Sequence, residues 1–112
     1  MDGMTLMTLR EICEALEVSR RAVQGYEKAG LLSATDRNKY GHLLYDEAAM
    51  LRIEQIKFYQ QLGFSIKEII DIIDAPNILV KTALEARVRK LRKEKAEISE
   101  LIEKANQVIA GL

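Results

Sequence analysis

The last third of the chain is the feature that most limits its fold. From Ile78 to Ala110 neither Pro nor Gly interrupts, and Leu84, Leu91, Ile98, Ala105 and Leu112 recur at every seventh position. Interleaved four residues on stand Val88, Lys95, Ile102 and Ile109. These are the d and a positions of a heptad repeat, which predicts a long helix with an apolar seam along one side. A seam left in water is unstable, so it implies a partner helix, and nothing else in the chain is long enough to match it. A second copy is therefore predicted, parallel or antiparallel, joined through Leu84, Val88, Leu91, Ile98, Ile102, Ala105 and Ile109. Lys95 costs stability in such a seam and helps to fix register. The alternative is an amphipathic helix that breaks at Lys95 and packs on its own domain.

What precedes this helix is one small domain's worth of chain, placing a domain over residues 1–77 and a dimerisation helix over residues 78–112. With 112 residues in all, the buried core is modest and a larger catalytic fold is not expected. One Pro, six Gly and a 30% charged fraction favour a mainly α protein over a β-sandwich or a disordered chain. The single Cys13 can form neither an internal disulfide nor, alone, a thiolate metal site, so nothing argues for secretion or for a zinc module. No apolar run approaches the roughly 20 residues of a membrane helix, and Met1 to Met7 lacks the basic start of a leader. No membrane partner is expected, and the cytosol is the expected compartment.

Short helices with clear punctuation fill the first domain. Thr8 and Glu11 form a capping box that opens a helix, with Leu9, Ile12, Cys13 and Leu16 on its inner face. Cys13 then reads as a small buried hydrophobe. After only a brief turn, Ser19 caps a second helix running from Arg20 to about Ala29, closed by Gly30. Two helices joined so tightly must cross steeply, the helix-turn-helix arrangement. With Ala22, Val23 and Tyr26 inward, Arg20, Arg21 and Gln24 occupy the outer side. Leu31 to Tyr45 loses the helical period and reads as two short strands about a tip, a β-hairpin wing carrying Arg37 and Lys39. Asp46 caps a third helix with a buried stripe of Met50, Ile53, Ile56, Tyr59 and Leu62, ended by Gly63. Ser65 and Glu68 make a second capping box before Ile69, Ile70, Ile72 and Ile73, and Pro76 stops that helix.

Seventeen basic and seventeen acidic residues cancel over the whole chain, yet the signs alternate along it. Residues 1–17 carry net −3, residues 18–45 net +3, residues 46–77 net −3 and residues 78–112 net +3. A neutral chain can thus offer a basic face to a polyanion. The outer face of the second helix suits the major groove, where Arg pairs bidentately with guanine and Gln with adenine. Arg37 and Lys39 suit phosphate, which adds affinity without sequence information; a solvated charged loop is the alternative for that pair. The basic run Arg87, Arg89, Lys90, Arg92, Lys93 and Lys95 reads as a solvated helix face, or as a further contact surface.

The segment from Val18 to Leu32 resembles the recognition segment of MerR-family transcription regulators. The likeness continues through Arg37, Gly41 and Tyr45, then Asp46 and Glu47, and Leu62, Gly63, Phe64, Ser65, Glu68 and Ile69. Gln24 and Gly25 stand where the family usually has Arg and Tyr, and Gly41, His42, Leu43 where it usually has Gly-Tyr-Arg. The resemblance implies a winged helix-turn-helix domain with a small β-hairpin wing, followed by an antiparallel coiled coil. It further implies a homodimer that binds double-stranded DNA at an inverted-repeat promoter operator, distorts the duplex and works with RNA polymerase in the bacterial cytosol at the nucleoid. Arg21 and Tyr26 match family positions that hold DNA; for Tyr26 the alternatives are that it only packs its ring, or that it packs its ring while its hydroxyl also reaches DNA.

Nothing in the residues suggests an enzyme or a cofactor. His42 is the one histidine and has no nucleophile or second ligand at helical spacing, so a surface or phosphate-facing role is expected. No Gly-rich phosphate loop is present. Metal-sensing relatives place cysteines in and after the dimer helix, where this chain has none. Drug-binding relatives append a separate domain, so either this regulator works without one or these residues are the front of a longer protein. The rival reading is an adaptor whose coiled coil scaffolds another protein without touching DNA.

Overall fold

A computed structural model of the chain describes residues 6–112; most of the stretch examined for a leader lies outside them. The elements are β1 (Met7–Thr8), α1 (Leu9–Leu16), α2 (Arg20–Lys28), β2 (Asp36–Arg37), β3 (Leu43–Tyr45), α3 (Glu47–Leu62), α4 (Ile66–Ile72) and α5 (Asn77–Ala110). The chain divides into two compact units, the first ending at Asp74 and the second being Ala75–Leu112.

Side-chain caps start α1 to α4 where the sequence places them. Thr8 Oγ1 accepts from the Glu11 N–H at 3.2 Å, while Glu11 Oε1 accepts from the Thr8 N–H at 2.9 Å. Those two bonds stabilise the charged carboxylate and hold Glu11 below its usual range. Ser19, Asp46 and Ser65 accept from Ala22, Ala49 and Glu68 in the same manner. The turn from α1 to α2 needs one residue in the left-handed region, supplied by Glu17 at φ 51°. Lys57 of α3 donates to the carbonyls of Leu16 at 2.7 Å and Glu17 at 2.9 Å, so a cation sits at the negative end of α1.

The hairpin is one half of a three-stranded antiparallel sheet of order β1-β3-β2. Asp36 pairs with Leu44 and Arg37 with Leu43 on one side of β3. On the other side Met7 pairs with Tyr45 and Thr8 with Leu44. Strand β1, just ahead of α1, is an addition to the sequence reading, which has only the hairpin.

Ile12, Val23, Tyr45, Ile53, Ile56 and Ile69 are fully buried and draw α1, α2, β3, α3 and α4 into one core. Each such side chain contributes roughly 1.5–3 kcal/mol by leaving water. Val18, Tyr26, Leu31, Leu32, Ala49, Tyr59 and Ile73 complete it. The α3 stripe differs in detail from expectation: Ala49 is buried, while Met50 and Leu62 are half-buried. Cys13 is also only half-buried, and Ile70 faces water at 47% exposure. Arg52 closes the unit from α3, donating to the Leu31 carbonyl at 2.9 Å and through both Nη atoms to the Asp74 carboxylate at 2.7 and 2.8 Å. This fork holds Asp74 below the usual carboxylate range.

Described by itself, the second unit is dominated by the 34-residue α5, with Pro76 at its N-cap and no buried residue. Val88, Ile98, Ile102 and Ile109 of the heptad seam are exposed, as are Leu101 and Val108, three residues after Ile98 and Ala105. Leu84 and Leu91 are half-buried. The apolar stripe is therefore wider toward the C-terminus than the a and d positions alone.

Candidate nucleic-acid interface

Two tyrosine hydroxyls fix how α2 sits. The ring of Tyr26 is 3% exposed, and its hydroxyl donates to Gln60 Oε1 of α3 at 2.6 Å. From the sheet, the hydroxyl of the buried Tyr45 donates to Glu27 Oε1 at 2.6 Å. Burial raises both hydroxyls above the usual phenol range, and for Tyr45 the Glu27 carboxylate raises it further, so both stay protonated donors. One side of α2 is thus anchored to α3 and the other to β3.

This anchoring turns Arg20, Arg21, Gln24 and Lys28 outward, all of them exposed. Gly25 lies on the same side, where an added Cβ would meet nothing within 4 Å. The outer face of α2 is cationic and, at Gly25, flat enough for close approach. Tyr26, expected from the family resemblance to hold DNA, lies beneath this face as part of its support. Its ring is packed and its hydroxyl is engaged with Gln60, the ring-packing alternative for this residue.

The wing comes to the same side. A concavity gathers Thr8 of β1, Leu9 and Arg10 from the start of α1, Arg20 and Gln24 from α2, and Arg37, Gly41, His42 and Leu43 from the wing. Its lining holds three arginines and a histidine and no carboxylate, which makes it an anion-attracting cleft. Within the wing, Arg37 Nη1 donates to the Gly41 carbonyl at 2.8 Å, and Gly41 turns the tip at φ 82°. Lys39 stands 5.2 Å above the ring of Tyr40, which is 72% exposed. Of the residues singled out in the sequence, Arg20, Gln24 and Arg37 share the cleft, Arg21 faces outward beside it, and Lys39 projects at the wing tip.

The positioning residues Gln60, Glu27 and Lys57 are absent from the sequence reading, since each acts on a partner far along the chain. His42 shares the cleft lining with Arg20 because the wing folds back on α2, a long-range placement that no local spacing marks. Among the described residues no cluster of three or more His, Cys, Asp or Glu side chains could hold a metal ion. No described helix is long and apolar enough to cross a membrane.

Comparison with known proteins agrees with this geometry. The family model described as MerR HTH family regulatory protein matches residues 7–76, and that described as MerR, DNA binding matches residues 50–112. The chain is 30% identical to the HTH-type transcriptional activator mta of Bacillus subtilis (strain 168) over 104 residues. That match takes in 93% of this chain but 40% of the relative, so the chain spans less than half the length of that curated protein. Among solved structures, a MerR-family transcriptional regulator from Bacillus cereus superposes with a TM-score of 0.74 at 25% identity, covering 92% of this chain and 79% of that one. The N-terminal part of the Bacillus subtilis multidrug transporter activator, MtaN, superposes with a TM-score of 0.70 at 29% identity, covering 92% and 97%. A helix-turn-helix with an outward basic face, a wing beside it, a long terminal helix and family models spanning residues 7–112 lead to one conclusion: the chain belongs to the MerR family of helix-turn-helix transcriptional regulators.

Proposed function

We propose that the chain acts as a homodimer on double-stranded DNA, reading an inverted-repeat promoter operator and distorting it. Arg20, Arg21 and Gln24 enter the major groove and read base edges, while Arg37 and Lys39 hold phosphates on the flank. Tyr26 sets the height of the reading helix. Two copies join through the α5 seam of Leu84, Val88, Leu91, Ile98, Ile102, Ala105 and Ile109 in an antiparallel coiled coil. A two-fold dimer asks for a two-fold operator, hence the inverted repeat. Bending such a site costs of order 1–6 kcal/mol, which contacts from the wings offset. The work takes place in the bacterial cytosol at the nucleoid, with RNA polymerase as a further partner.

The observation that carries this reading is the carboxylate-free cleft, which brings Arg20 and Gln24 of α2 together with Arg37 of the wing. Basic residues of two separate elements within segment 18–45, α2 and the wing, meet there and give a polyanion a continuous cationic lining. To test it, duplex fragments retained by the protein are selected from the host genome, and their affinity is followed against salt. Binding is expected to weaken steeply as salt rises, because neutralised phosphates release counterions. Arg21→Ala should cost about 1–3 kcal/mol of binding free energy. Absence of retained fragments, or affinity indifferent to salt, would favour the scaffolding adaptor instead.

A further inference from the structure

The cleft lining holds three arginines and one histidine, His42, and histidine is the side-chain type that can exchange a proton in the physiological range. His42 is also the chain's single histidine. Its backbone is held rigidly: the N–H donates to Asn38 Oδ1 at 3.0 Å, and the carbonyl accepts from the Asn38 N–H at 3.0 Å. The side chain is exposed, its ring lies 6.3 Å from that of Tyr40, and no described residue hydrogen-bonds to the imidazole. The charged and titratable groups around it are Arg10 of α1, Arg20 of α2, and Arg37, Lys39 and Tyr40 of the wing. Arg10 is loosely paired with Glu14 at 3.4 Å, and no acid lines the cleft itself.

We propose that His42 makes the grip on DNA proton-dependent: its imidazolium donates to a backbone phosphate seated between α1, α2 and the wing, alongside Arg20 and Arg37. This rests on the DNA-binding reading above and adds to it a dependence on pH. A phosphodiester keeps its charge across the physiological range, so only the imidazole responds to protons there. Bound phosphate favours the charged ring, and therefore the bound chain holds its proton to higher pH than the free chain does. The gain in affinity is complete at low pH and is lost as pH rises through the bound-state midpoint. Each protomer takes up at most one proton on binding. An anionic cleft partner with no acidic competitor in the lining is what makes this exchange favourable.

The test measures affinity for a mixed-sequence duplex at constant low ionic strength from pH 5.5 to 8, for the parent chain, His42→Gln and His42→Lys. The parent is expected to bind about tenfold tighter at the acid end, the equivalent of a midpoint raised by about one pH unit. His42→Gln should be pH-flat and weak, and His42→Lys pH-flat and tight. Because there is one histidine, its Hε1 resonance gives a direct titration, and its midpoint should move up when duplex is added. A parent profile without pH dependence, a His42→Gln profile that keeps it, or an imidazole midpoint unmoved by duplex overturns the proposal while salt-dependent binding leaves the regulator reading standing. Failure of the parent to bind duplex at any pH overturns both.

Discussion

Glu17 is the single described residue other than glycine with a positive φ, and it sits where the helix-turn-helix must reverse direction. An L side chain in that region costs on the order of 1 kcal/mol more than glycine does. The site is held from outside by Lys57, whose ammonium donates to the two carbonyls at the end of α1. Glu17→Gly is therefore expected to raise the unfolding free energy by about 1 kcal/mol in urea titrations. Lys57→Met, which leaves those carbonyls without their donor, should lower it by about 1–3 kcal/mol. If both variants match the parent, the turn is neither strained nor propped. Sequence alone announces the turn through its brevity and through Ser19, but not its prop, because nothing local marks a lysine forty residues on as a helix cap.

At the level of the element, α2 is a compromise between stability and access. Its N-cap is good, yet Gly25 stands in its interior with open space where a side chain would be. Gly25→Ala should stabilise the folded chain by about 0.5–1 kcal/mol, read as a higher thermal midpoint, and a destabilised variant would mean that something unseen crowds the site. Caps and helix ends were legible in the sequence because they are settled within four residues: the Thr8–Glu11 and Ser65–Glu68 boxes both form. Strand β1 was not legible, since two residues make a strand only when a partner is already in place, and Met7 finds its partner in Tyr45. The outer face of α2 followed from its inner one, with Val23 and Tyr26 buried and Arg20, Arg21 and Gln24 left outside. The support given by Gln60 and Glu27 depended on contacts that no spacing reveals.

For the whole molecule, the two units divide the work proposed for them: the first carries the cleft and the second the seam. Net charge is an uninformative sum, whereas the alternation of sign along the chain concentrates the basic residues of 18–45 on α2 and the wing. The apolar stripe of α5 is readable from its seven-residue period, but its extra width through Leu101 and Val108 is not, because both residues fall outside the a and d positions. Leu91→Asp is expected to give monomers in sedimentation equilibrium and to weaken duplex binding with it. A dimer that survives would move the interface toward the wider end of the stripe. The sheet has a practical corollary. Since β3 is shared by β2 and by the two residues that lead into α1, any tag or fusion joined directly ahead of Met7 is mechanically connected to the wing. Reporter designs that need an undisturbed wing therefore require a spacer there, and a spectroscopic probe placed at that junction would sense the hairpin from its far edge.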